Sequence, residues 1–157
     1  MINEHKFKLK LNWELNKNKN KRISRNHEIT IYNNLNFNVS AAKVFKGDAE
    51  LINPEDLLLS SITSCHFMSF LYCCSLNKIE LLKYTDQSEA LLEVLPNGSG
   101  KISRVILNPT FTIADESQKE LAISLHKKAN ELCFIANSCN FPIIHNPICI
   151  IKTKISS

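Results

Sequence analysis

The residues able to do chemistry in this chain are its six cysteines, Cys65, Cys73, Cys74, Cys133, Cys139 and Cys149, and its five histidines, His5, His27, His66, His126 and His145. A thiolate is a nucleophile and a metal ligand, whereas a buried thiol behaves as a small, inert hydrophobe. Spacing helps to sort these uses. Zinc sites usually carry one tight ligand pair, yet the sequence holds no Cys-x-x-Cys and no His-x-x-x-His, and Cys133, Cys139 and His145 follow one another at intervals of six. No bound metal is expected. A Cys–His nucleophile needs an imidazole beside the thiolate. His66 adjoins Cys65 but on a helix points about 100° away from it. His126 lies two turns before Cys133, so neither placement makes a dyad. The vicinal Cys73 and Cys74 point in different directions on a helix and suit no mutual disulfide. With Cys149 they read as core.

The elements that must carry these thiols are legible in the surrounding pattern. Asn53-Pro54-Glu55-Asp56 is a helix start: Asn favours the N-cap, Pro the first helical position, and the two acids complement the helix dipole. The pattern predicts a helix from Pro54 to about Leu76, with Cys65 at its middle. Leu57 to Leu76 is long enough to span a bilayer. Its serines, threonine and histidine sit badly in hydrocarbon, so it reads as a buried core helix. A second helix is predicted over about Ser117 to Asn137, with an apolar stripe of Leu121, Leu125, Ala129, Leu132, Cys133 and Ala136. Strict alternation over residues 5–13 predicts a half-buried strand with Phe7, Leu9, Leu11 and Trp13 on its apolar side. A strand over Ile23 to Tyr32 completes a hairpin with it. Residues 33–52 read as irregular, with a turn at Gly47-Asp48. Strands over residues 79–95 and 101–113 flank the turn signal Pro96-Asn97-Gly98-Ser99-Gly100, and Ile148 to Ile155 reads as a closing strand. The order β-β-α-β-β-α-β predicts one α+β domain over residues 1–157.

Composition agrees with a globular domain: 44% hydrophobic, 22% charged, with three Gly and five Pro. That excludes collagen, low-complexity disorder and a small disulfide scaffold. The net charge of +4 is concentrated early. Lys17, Lys19, Lys21 and Arg22, interleaved with Asn, read as a solvated loop rather than a nucleic-acid surface. Residues 1–6 show no apolar signal region, so the expected setting is cytoplasmic and reducing, with neither membrane nor nucleic acid as partner.

Asn53-Pro54-Glu55-Asp56-Leu57-Leu58 followed by Ser64-Cys65-His66-Phe67-Met68 resembles the central helix of the OsmC/Ohr family of thiol peroxidases. The second half is similar independently. Ile102-Ser103-Arg104-Val105 leads to Pro109, Ala129-x-x-x-Cys133 resembles the family's second cysteine, and Asn137-Ser138 and Phe141-Pro142 complete the stretch. Arg25, between Ser24 and Asn26, lies where the family carries an arginine in an early hairpin.

The resemblance implies antiparallel sheets packed around a long buried central helix, in an intertwined homodimer whose sites form at the subunit interface. It implies a hydroperoxide reductase with Cys65 as the peroxidatic residue and Cys133 as the resolving one. Arg25 would supply the fixed positive charge that favours a thiolate, and Glu55 would hold the guanidinium in a bidentate pair. Leu58, Ile62, Phe67 and Phe134 would line a pocket for an apolar hydroperoxide. No bound cofactor is implied; an external dithiol, lipoyl or similar, closes the cycle. Phe134 stands where the organic-hydroperoxide branch has proline, and Arg25 lacks the flanking glycines of that branch. Arg22 therefore stays open as a substitute for Arg25, and Cys139 as a competing resolving thiol. The other readings are a non-enzymatic module holding a hydrophobic ligand or sensing redox state, and a basic nucleic-acid binder.

Overall fold

A computed structural model describes residues 2–15, 23–32 and 35–152. The basic stretch with Lys17, Lys19, Lys21 and Arg22 lies outside the described residues, as does the end of the predicted closing strand. The chain divides into two compact units, Met1–Leu57 and Leu58–Ser157.

The first unit is a three-stranded antiparallel sheet of β1 (Leu9–Asn12), β2 (His27–Ile31) and β3 (Leu35–Val39). The register pairs Leu11 with Ile29 and Ile29 with Phe37, and likewise Leu9, Ile31 and Leu35. Strand alternation thus gathers these side chains on one face and Lys10, Thr30 and Asn36 on the other. The predicted half-buried strand over residues 5–13 is corrected on two counts. It is shorter, and its apolar side is open, with Leu9 64% and Leu11 55% exposed. The region read as irregular contributes β3, because Leu35, Phe37 and Val39 alternate where Asn residues mask the pattern. Gly47 is required by close approach: a Cβ there would overlap the Ala41 carbonyl.

Helix α1 runs over Pro54–Leu76. Its cap is reciprocal: the Asp56 N–H donates to Asn53 Oδ1 at 2.9 Å, and Asn53 Nδ2 donates to Asp56 Oδ2 at 2.6 Å. This satisfies donors that a helix start leaves free. The helix ends at Lys78 in the left-handed region (φ 56°), where the Ile79 N–H returns to the Cys74 carbonyl at 2.9 Å. By length and apolar composition it is the one described helix long enough to cross a membrane. One stripe of it, Ile62, His66, Phe70, Cys73 and Cys74, is buried. Met68, Leu71, Tyr72 and Leu76 are exposed in the single chain, so the fully buried helix expected from sequence is buried along one face.

The second unit packs that stripe against two mixed sheets. One has the order β4-β7-β9 and the other β5-β6-β8, from β4 (Leu81–Asp86), β5 (Glu89–Val94), β6 (Gly100–Leu107), β7 (Pro109–Ile113), β8 (Ile143–His145) and β9 (Ile148–Ile151). Strands β8 and β9 run parallel to β6 and β7. The two long strands predicted over residues 79–95 and 101–113 are each broken at one level. There Asn108 N–H donates to Asp86 Oδ1 at 2.8 Å and Asn108 Nδ2 to the Gln87 carbonyl at 2.9 Å. Side chains take over the backbone pairing, and Pro109 has no N–H to give. The predicted turn holds: Leu95 N–H donates to the Ser99 carbonyl at 2.7 Å, with Gly98 at φ 84°.

Helix α2 covers Lys119–Leu132 and a single turn, α3, covers Phe134–Asn137. The predicted helix to Asn137 is therefore interrupted at Cys133. Its buried stripe is Ala122, Leu125, His126 and Ala129, whereas Leu121 and Leu132 are exposed. The core centres on Phe70, Phe111, Ile113, Ala122 and Ala129. Cys73 and Cys74 are buried in this cluster and Cys149 packs on it, as expected from sequence. Burial raises all three thiols, Cys74 to about 12.

Candidate functional site

Cys65 lies at the middle of α1 and is partly buried; Cys133 is fully buried. The break between α2 and α3 decides where Cys133 points. Its backbone is extended (φ −74°, ψ 109°), and its Sγ accepts the Ala136 N–H at 3.3 Å, so the thiol caps α3. Cys65 on α1 is the neighbouring thiol that acts on it. Both thiols are free. The Cys133 thiol is pushed up to about 11, first by burial and then by the neighbouring Cys65 thiol; the Ala136 N–H acts in the opposite direction. Burial outweighs the helix cap, and Cys133 is neutral near pH 7.

Beside this pair is a cavity of about 450 Å³, lined chiefly by Ser61, Cys65, Met68, Tyr72, Leu132 and Phe134. Ser61, Cys65, Met68 and Tyr72 recur at four- and three-residue steps and therefore share one face of α1. Phe134 belongs to this cavity as expected, but the other predicted lining residues do not. Ile62 is buried in the core one step round the helix, and Phe67 lines a separate cavity with Tyr84 and Asp86. Leu58 borders neither.

Arg25 and Glu55 belong to the first unit. Arg25 is exposed, on the segment leading into β2. Its neighbours are pinned: Asn26 Nδ2 donates to Asp48 Oδ2 at 3.2 Å, Ser40 Oγ to Asn26 Oδ1 at 2.9 Å, and Asp48 N–H to Ser40 Oγ at 3.0 Å. The Arg25 carbonyl also lies 3.0 Å from His27 Nδ1. Glu55 is in the first turn of α1, and its Oε2 is buried without a hydrogen-bond partner among the described residues. One ion pair occurs among the described residues, the exposed Lys128–Glu131. Cys139 is half-buried and donates to the Ile135 carbonyl at 3.3 Å, facing its own turn.

Sequence reasoning missed a cluster of imidazoles. His66 Nε2 and His126 Nδ1 are 2.9 Å apart, and the His145 ring lies 4.4 Å from that of His66. No three His, Cys, Asp or Glu side chains among the described residues are arranged as a metal-ligand set. Burial lowers His66 to about 3, helped by His145 and His126; burial lowers His126 to about 4, helped by His145. His66 being about 100° from Cys65 was the available clue: if one faces a cavity, the other faces the core.

Residues 47–146 match the family described as OsmC-like protein. The chain is 27% identical over 138 residues, 86% of its length and 87% of the relative's, to the uncharacterized protein YmaD of Bacillus subtilis. Its fold superposes on an OsmC-like protein of unknown function from Vibrio cholerae with a TM-score of 0.83 at 21% identity, covering 92% of this chain and all of that one. An organic hydroperoxide resistance protein from Elizabethkingia anophelis superposes with a TM-score of 0.72 at 18% identity, over 97% of this chain and all of the other. With its cysteine-bearing central helix, its sheets and the match over residues 47–146, the chain belongs to the OsmC family.

Proposed function

We propose that this protein is a thiol-dependent peroxidase that reduces organic hydroperoxides through Cys65 and Cys133. The observation that carries the reading is the meeting of these two free thiols beside an apolar cavity. In the first step the Cys65 thiolate attacks one peroxide oxygen. The O–O bond breaks, Cys65 becomes a sulfenic acid, and the alkoxide leaves as an alcohol after taking a proton. Cys133 then attacks the Cys65 sulfur, water leaves, and a disulfide forms before further oxidation intervenes. An external dithiol reduces that disulfide by exchange, becoming a disulfide itself. No bound cofactor takes part.

Arg25 supplies the fixed charge that favours the Cys65 thiolate, and Glu55, whose Oε2 is buried without a partner among the described residues, orients it. The working form is a homodimer in the cytoplasm. The open apolar side of the first sheet, with Leu9, Leu11 and Leu35, and the exposed Met68 and Tyr72 of α1 support a second copy of the chain as cover. The Cys65 cavity's apolar lining favours an alkyl or aryl hydroperoxide over hydrogen peroxide.

The test is to mix reduced protein with an alkyl hydroperoxide, follow its loss, and map the product by mass. A Cys65–Cys133 link in the wild type and loss of consumption in Cys65→Ser support the assignment. Undiminished consumption in that variant refutes it, and ligand retention without turnover in the wild type favours a hydrophobic-ligand module instead. Arg25→Ala slows the first step at neutral pH if Arg25 is the activating charge.

A further inference from the structure

The histidine cluster has no part in that chemistry, yet it lies on the elements that bring the thiols together. His66 is the residue after Cys65 on α1. His126 is two turns before Cys133 on α2, and His145 ends β8. The His66–His126 bond joins α1 to α2 inside the core, with both side chains almost wholly buried. It is flanked by aromatic rings: Phe70 stacks on His126 at 4.0 Å and 12°, and Phe111 lies 5.2 Å away.

The tautomers of this pair are restricted. Whichever imidazole donates in the 2.9 Å bond, the other must accept through a lone pair, and both His66 Nδ1 and His126 Nε2 are buried without partners among the described residues. One of these outer nitrogens then carries an unpaired N–H and the other an unpaired lone pair. The first proton taken up goes to the unpaired outer lone pair and leaves the bond in place with a buried charge, and a second at the contact leaves two donors facing each other.

We infer that the neutral His66–His126 pair, backed by the His145 ring, is a brace between α1 and α2 that positions Cys65 against Cys133, and that proton uptake by the cluster releases it. The titratable groups facing the cluster are few. The His145 ring is tilted against that of His66 at 4.4 Å, and Asp86 on β4 acts on His145, favouring its charged form against the larger effect of burial. The Asp86 carboxylate is already committed to Ser88 Oγ at 2.9 Å, the Asn108 N–H at 2.8 Å and the Tyr84 hydroxyl at 3.3 Å. It cannot follow a proton to the His66–His126 contact without giving up that network. The first charged imidazole keeps its bond to the neutral one but has no carboxylate acting on it among the described residues, and a second proton removes the bond as well, so parting of the helices is the route to solvating the charge. These histidines are positioning residues, acting on the reaction through the thiols.

The inference deepens the peroxidase reading, since the brace matters to turnover only if Cys65 and Cys133 are the working pair. Its test uses no peroxide, so the two fail separately. In a Cys65→Ser background, Cys133 is modified with a dipyridyl disulfide and located by mass. Its rate relative to the urea-unfolded chain at the same pH reads how often the joint opens. Protection is expected to fall from pH 7 to pH 5 by up to about tenfold per pH unit for each histidine that gains a proton on opening. His126→Phe keeps a ring between Phe70 and Phe111 but loses the bond, and protection at pH 7.5 should drop about tenfold or more. In the double variant His66→Gln, His126→Asn the amides reproduce Nε2 and Nδ1 without titrating, so protection should hold at pH 7.5 and stay level into acid. An acid-insensitive wild type, a double variant as acid-sensitive as the wild type, or unchanged protection in His126→Phe would overturn the inference.

Discussion

Cys133 is buried, neighbours the Cys65 thiol and stays neutral to about pH 11, which fixes how it can react. Relative to the ordinary value of 9.0, its thiolate fraction at pH 7.5 falls from roughly 3% to roughly 0.03%, about a hundredfold. Reaction with a reagent in solution should therefore be at least about a hundredfold slower than for an ordinary thiol, before burial limits access. In the proposed reaction the same thiol must nevertheless capture the oxidised Cys65. Proximity is large enough to allow it, because well-oriented partners reach effective molarities of about 10⁵–10⁸ M. Discounted a hundredfold, that still exceeds about 1 mM of an external thiol by six orders of magnitude or more.

The assay is alkylation of the reduced protein with iodoacetamide from pH 7 to pH 11, each cysteine followed by mass and compared with the unfolded chain. Cys133 should stay protected through pH 9, with its rate climbing tenfold per pH unit up to about pH 11. A titration midpoint below pH 9, or alkylation at pH 7.5 as fast as in the unfolded chain, would refute the reasoning. It would mean that the Ala136 N–H at 3.3 Å outweighs burial and that Cys133 is itself a thiolate nucleophile.

Phe70→Ala removes a wholly buried ring packed on His126 and Phe111, and should lower stability by about 3–5 kcal/mol, read as a shift in the urea midpoint. Stability should also fall in mild acid. His66 at about 3 and His126 at about 4 lie below their ordinary 6.5, so the unfolded chain binds protons first. The contribution is complete above pH 6.5 and declines as pH falls toward 4. From pH 7.5 to pH 5.5 the two histidines account for about 3 kcal/mol; a flat urea midpoint over that range contradicts their neutrality in the folded state. Leu11→Asp places a charge on the open apolar side of the first sheet, where Leu11 is 55% exposed. Sedimentation should show it shifting the proposed homodimer toward monomer, while self-association unchanged from the wild type would refute that side as the interface.

The parts of the fold that could be read from sequence are those set by local rules. Asn53 and Pro54 start α1 through a cap built from four consecutive residues, and its limits, Pro54–Leu76, are as predicted. The turn at Gly98 is equally local. The division of residues 79–95 and 101–113 into pairs of strands is not. It depends on Asp86 meeting Asn108, 22 residues away, and on Asn146 Nδ2 donating to Asn108 Oδ1 at 2.9 Å. Polar residues inside an apolar run read as outward-facing positions of one strand; only the neighbouring strands show that they replace ladder bonds. The alternation of residues 5–13 named the correct apolar side, but it carries no information about whether another chain covers that side.

The same division runs through the site. Cys65 could be placed because α1 is a regular helix, and the residues on its face follow from a 3.6-residue period. Cys133 could not be oriented in this way, because the apolar period continues through 129, 133 and 136 while the backbone does not. The helix breaks where the Cys133 sulfur takes an N–H that the preceding helix would have bonded itself. The break gives the thiol two opposed neighbours. The Ala136 N–H favours the anion, and burial beside Cys65 favours the neutral form. Burial is the stronger, and the outcome suits the resolving role proposed above: a thiol that stays out of reaction with solvent until the neighbouring Cys65 becomes electrophilic. That property arises from the local chain reversal and from the packing of α1 together, so neither the spacing of the cysteines nor their count contains it.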